Sequence, residues 1–108
     1  MSFQISGALL DACVLGVVNT GDTYGYDLTQ RLQSKIGVSE STLYPVMRRL
    51  QKEGMLHTYD MPHAGRNRRY YSITENGRAA LNQAIINFEV YCGNIKDILK
   101  GEVGNDTE

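Results

Sequence analysis

The stretch from Ser41 to Ser72 restricts the fold of this chain more than any other. Leu43, Val46, Met47 and Leu50 recur three and four residues apart, the spacing that lays one apolar stripe along a helix, while Arg48, Arg49 and Lys52 project elsewhere on the same cylinder. Gly54 supplies a stop for that helix. Two runs with β character follow, Leu56 to Tyr59 and Arg68 to Ile73, and the loop expected between them holds Pro62 and Gly65. The pattern is a helix that runs directly into a hairpin.

Charge is concentrated in the same place. The chain as a whole has a net charge of -1, which by itself says nothing for a nucleic-acid partner. Between Ser41 and Ser72, however, six basic residues stand against two acidic ones, whereas the remainder carries five basic against ten acidic. A basic surface built from one helix and one hairpin, on an otherwise acidic chain, is the electrostatic footprint expected for duplex DNA. A solvated charged face is the bland alternative, because helices often carry Arg and Lys for solubility. With the helices around it, the pattern predicts a mainly α protein with a small β-hairpin wing, a winged helix-turn-helix.

Taken in order, Ser6 can cap a first helix to about Val18, with Leu9, Leu10, Cys13, Val14, Val17 and Val18 as its apolar stripe. Asp22 or Thr23 is expected to cap a second, Tyr24 to about Lys35, and Gly37 can take the positive φ of a tight helix-to-helix turn. Two starts compete for the third helix. Ser39 is a good cap with Thr42 three residues on, but places Pro45 beyond the first turn, which a start at Ser41 or Thr42 avoids. On either reading Ser39, Ser41, Thr42 and Tyr44 lie at the amino-terminal end, where backbone amides and the helix dipole favour a phosphate. Capping alone is a sufficient reason for the Ser and Thr, and the two roles are compatible.

Thr74 should cap the last helix, which runs to about Lys100 and stops at Gly101. Leu81, Ile85, Phe88, Cys92, Ile95 and Leu99 step along it with a period near 3.5, the spacing of a coiled-coil seam. Three helices and a hairpin already make a core, so this seam is expected to be a dimer interface, with folding back over the first helix as the intrachain alternative. The expected organisation is a DNA-binding unit over residues 1–73, a dimerisation helix over 74–101 and an acidic flexible tail over 102–108.

At 108 residues the chain is one domain of ordinary size. No Lys or Arg precedes the first apolar stretch and Asp11 interrupts it, so neither a signal peptide nor a membrane span is expected, and the cytoplasm is the expected compartment. Cys13 and Cys92 are read as core residues. With His57 and His63 they form no ligand cluster, so neither metal nor cofactor is expected. No catalytic arrangement of side chains is apparent, and an enzyme is not expected.

Four segments together resemble the PadR family of bacterial transcription regulators: Tyr24-Gly-Tyr26-Asp-Leu28, Ser41-Thr-Leu-Tyr-Pro45, Arg48-Arg-Leu-Gln-Lys-Glu-Gly-Met-Leu56, and Gly65-Arg-Asn-Arg-Arg-Tyr-Tyr-Ser-Ile-Thr74 with Gly77. The resemblance covers nearly the whole chain. It implies a dimeric winged helix-turn-helix repressor of the short type, whose long carboxy-terminal helix dimerises. Asn67 stands where members usually carry Pro. Some members that bind flat aromatic drugs use a Trp on the last helix; this chain has none, and Phe88 occupies about that position.

The expected function is therefore sequence-specific binding of a pseudo-palindromic operator in double-stranded DNA by a homodimer. The expected contacts are Ser39, Ser41, Thr42 and Tyr44 at the helix start, Arg48, Arg49 and Lys52 along it, and Arg66 and Arg68 on the wing. Ile85, Phe88, Tyr91 and Cys92 are the expected lining of an apolar space between subunits that fits a small hydrophobic or aromatic effector; a filled dimer core is the alternative there. A winged helix that binds another protein without DNA is the rival function, and steep salt dependence of duplex binding separates the two.

Overall fold

The computed structural model describes residues 3–104. Its order is α1 (Gly7–Asn19), β1 (Thr23–Tyr24), α2 (Gly25–Ile36), α3 (Glu40–Lys52), β2 (Leu56–His63), β3 (Arg66–Ile73) and α4 (Glu75–Leu99). The strands make one antiparallel sheet in the order β1-β3-β2. This is the winged helix-turn-helix expected from the sequence, with a three-stranded rather than two-stranded sheet. The expected tail falls partly outside the described residues, at 105–108.

Caps set the helix starts. Ser6 accepts from the Leu9 amide at 3.2 Å and opens α1, and Thr74 accepts from the Gly77 amide at 2.9 Å and opens α4. Gly37, at φ 72°, turns α2 into α3. The start of α2 differs from expectation. Neither Asp22 nor Thr23 caps it; Thr23 and Tyr24 pair with Tyr71 and Tyr70, and the helix begins one residue later than expected. The buried Thr23 hydroxyl donates instead to Asp27 at 2.6 Å.

The hairpin is also longer than expected. Pro62 lies within β2, opposite Asn67, and only Ala64 and Gly65 form the turn. Both turn residues have positive φ, 52° and 80°, as a two-residue turn between twisted strands requires. Counting back from that turn, Pro62 falls at a non-hydrogen-bonded pair of an edge strand, where no ladder bond is lost.

The core is assembled from Leu10, Val14, Leu15 and Val18 of α1, Leu28 and Leu32 of α2, Leu43, Met47 and Leu50 of α3, Leu56 and Tyr71 of the sheet, and Leu81 of α4. Leu81 thus corrects one expectation: it is 7 % exposed inside its own protomer and offers nothing to a partner. Its place in the seam's period is explained by the first turns of α4 lying on α1. α4 stays alongside α1 as far as Tyr91, and its last turns leave the body, which gives the molecule extents of 68 × 32 × 20 Å. Cys13 packs against the core, and burial raises its thiol pKa; Cys92 lies half-buried on the projecting arm.

Candidate nucleic-acid interface

Ser39 caps α3, which resolves the competition between starts in favour of the earlier one. Its hydroxyl accepts from the Thr42 amide at 3.4 Å and lies 3.0 Å from the Ser41 hydroxyl and 3.1 Å from that of Thr42. Pro45 therefore sits in the second turn and deprives the Ser41 carbonyl of its amide partner. Both residues are exposed, so water can satisfy that carbonyl. The start of α3 presents an uncommitted carbonyl and exposed hydroxyls on Ser41 and Thr42. Gln30 of α2 donates to Glu40 at 2.9 Å and ties the two helices of the helix-turn-helix together.

Beside that helix start a groove opens between α2, α3 and β3. Tyr44 and Arg48 line it from α3, Arg68, Arg69 and Tyr71 from β3, and Tyr24, Gly25 and Tyr26 from the start of α2. Gly25 permits the close approach, since a Cβ there would stand 3.3 Å from the Tyr44 ring. Arg48 and Lys52, four residues apart on α3, are both exposed, and Arg66 is exposed beside the hairpin turn.

Two basic residues are placed otherwise than the sequence suggests. Arg49 is turned from the groove toward α1, 2.5 Å from Asp11 and 3.4 Å from Glu53. The hydrogen bond and charge of Asp11 raise its pKa, and its role here is to clip α3 to α1. Arg69 was not among the expected contacts, yet it lines the groove. The available signal was strand alternation: Arg69 shares a face with the buried Tyr71, the face that looks toward α3. Asp60, its cross-strand partner, lies 3.6 Å away.

A second concavity, of about 310 Å3, lies between α1 and α4. Phe88 and Tyr91 line it, with Leu9, Ala12 and Ala84; Ile85 and Cys92 do not. Among the described residues there is no group of three or more His, Cys, Asp or Glu able to hold a metal, and no helix is long and apolar enough to cross a membrane.

Residues 14–83 match the model of the transcriptional regulator PadR-like family. The crystal structure of smu.1704 from Streptococcus mutans is similar over 98% of this chain and 100% of that one, with a TM-score of 0.88 and 36% identity. A PadR-like transcriptional regulator from Bacillus cereus superposes with a TM-score of 0.79 at 29% identity, covering 87% of this chain and 94% of that one. Bacillus subtilis PadR in complex with operator DNA shares the fold, with a TM-score of 0.67 at 24% identity over 72% of this chain and 47% of that one. In sequence, the negative transcriptional regulator PadR of Bacillus subtilis is 25% identical over 95 residues, and the match spans 82% of this chain and 52% of that protein.

Proposed function

The chain belongs to the PadR-like family of transcriptional regulators, and from that premise we propose that it is a dimeric, cytoplasmic repressor that binds a pseudo-palindromic operator in double-stranded DNA. The observation that carries the reading is the groove, where Tyr44 and Arg48 of α3 meet Arg68 and Arg69 of the wing beside the exposed hydroxyls of Ser41 and Thr42. Hydroxyls and Tyr44 at the helix start reach base edges, while Arg48, Lys52, Arg66, Arg68 and Arg69 meet phosphates. Operator binding by Bacillus subtilis PadR and its role as a negative regulator support the same reading.

Residues 1–73 act as the reading head and residues 74–101 as the dimerisation arm. Supporting this, the arm exposes Ile85, Phe88, Tyr91, Ile95, Ile98 and Leu99, more apolar side chains than a single helix in water ordinarily shows. A two-fold dimer through that face sets two copies of α3 about 34 Å apart, one helical turn of DNA. The test is footprinting on the promoter nearest its own gene. Two protected half-sites about one turn apart are expected. Failure of the protein to bind duplex DNA at low salt would leave the protein-interaction module as the better account.

The concavity beside Phe88 and Tyr91 supports a second, narrower reading, relief of repression by a small planar hydrophobic molecule. Its volume, about 310 Å3, is at the small end of ligand pockets. Such a molecule acts only by preferring one spacing of the reading heads. Phe88→Ala should abolish release of DNA by an inducing compound at modest cost in stability, whereas a loss of roughly 3 to 5 kcal/mol would mean a closed core.

A further inference from the structure

Arg68 and Arg69 are neighbours on one strand, so their side chains leave opposite faces of the sheet. Arg69 leaves on the side of the buried Tyr71, toward α3, and Arg68 leaves on the outer side with Tyr70. Both nonetheless line the groove that holds Tyr44 and Arg48. β1 ends at Tyr24, which pairs with Tyr70, so the edge of β3 is uncovered beside Arg68 and Arg69. Tyr24, as the direct partner of Tyr70, lies on that same outer face, and the Arg68 guanidinium reaches diagonally across to it, 3.9 Å from the centroid of its ring. The negative face of an aromatic ring attracts a guanidinium at this distance.

The ring that receives it is itself held. Tyr24 meets Tyr70 edge to face at 5.7 Å, Tyr70 stacks on Tyr59 at 5.6 Å, and the Tyr59 hydroxyl donates to Asp22 at 2.7 Å. The chain of contacts begins and ends at the segment that leads into α2, so the aromatic row braces the wing against the body. From this geometry we propose that Tyr24 is a positioning residue for DNA binding: its ring holds the Arg68 guanidinium at the rim of the groove, near Arg69, so that two consecutive arginines are available to one phosphate track. This rests on the DNA-binding reading above and names how one of its contacts is made.

The test uses the whole protein and a mixed-sequence duplex of roughly 30 base pairs, long enough for two half-sites, with affinity measured by fluorescence anisotropy across a salt series. Arg68→Ala should lessen the slope of log affinity against log salt by about one, and Tyr24→Leu should lessen it equally. Tyr24→Phe, which keeps the ring, should retain the wild-type slope. The double variant Tyr24→Leu with Arg68→Ala should lose no more than Arg68→Ala alone. If Tyr24→Leu folds poorly, pentafluorophenylalanine at position 24 reverses the charge of the ring face at nearly constant size, and should behave as Tyr24→Leu when set against Tyr24→Phe. A full slope in both ring-weakened variants while Arg68→Ala loses its unit would overturn the positioning role. So would additive losses in the double variant, or an unchanged slope in Arg68→Ala. Absence of any duplex binding by the wild-type protein is a different failure, that of the DNA reading itself.

Discussion

Two glycines of α4 should respond to the same substitution with opposite sign. Gly77 lies in the first turn, buried beneath the start of the wing, and a Cβ there would stand 2.2 Å from the Met55 carbonyl oxygen and 2.8 Å from Ile73 Cγ1. The nearer neighbour is backbone and cannot swing aside. That carbonyl accepts from the Thr74 amide at 3.1 Å, and the Thr74 hydroxyl donates to the adjacent Gly54 carbonyl at 2.7 Å, so moving it loosens the joint between wing and helix. Overpacking costs about 1–3 kcal/mol and a lost hydrogen bond about 1, against a gain of at most about 1 for replacing Gly by Ala in a helix. Gly77→Ala should therefore destabilise by about 1–3 kcal/mol. For a domain of this size that lowers the melting temperature by roughly 5–20 °C. Gly93 has nothing within 4 Å of the corresponding position, so Gly93→Ala should keep the propensity gain and be neutral or stabilising by up to about 1 kcal/mol. Thermal unfolding followed by circular dichroism measures both. A Gly77→Ala protein that melts at or above the wild-type temperature would refute the packing argument.

The other stability and assembly predictions follow the same logic. Ala64 holds φ 52° in the two-residue wing turn, a region an L side chain enters at a cost of about 1–2 kcal/mol, so Ala64→Gly should raise stability by about 0.5–1 kcal/mol in denaturant unfolding. Ile95 lies midway along the projecting arm; Ile95→Asp should give monomers or insoluble protein in sedimentation, because a dimer would bury an unpaired carboxylate. A soluble dimer of that variant would remove the seam.

What the sequence made legible was mostly local. Ser6 and Thr74 announce their helices because capping needs only a hydroxyl and the next three residues, and the apolar spacing of Leu43, Met47 and Leu50 survives intact as the core face of α3. What it hid depends on distant partners. Tyr24 reads as the start of a helix until Tyr70, far along the chain, takes it into the sheet. Pro62 reads as loop, since only the order of strands reveals that it lies on an edge. Leu81 keeps the seam's period, and only the contact of α4 with α1 removes it to the core. In the groove, Arg48 and Lys52 are exposed as a helical spacing suggests, whereas Arg49 is claimed by Asp11 on α1, which no reading of α3 alone would show. Arg69 was within reach of strand alternation, whereas the contact of Arg68 with the Tyr24 ring depends on the pairing of β1 with β3.

The central claim is that the surface formed by α3 and the wing meets DNA, and the salt dependence of duplex binding tests it most directly. Affinity should fall linearly in log salt with a slope that counts released counterions. Lys52→Ala and Arg66→Ala should each lessen that slope by about one, equally on operator and random duplexes. Arg49→Ala should leave the slope unchanged, because Asp11 and Glu53 already hold that guanidinium. Binding whose strength and salt slope survive loss of both Lys52 and Arg66 would contradict the account.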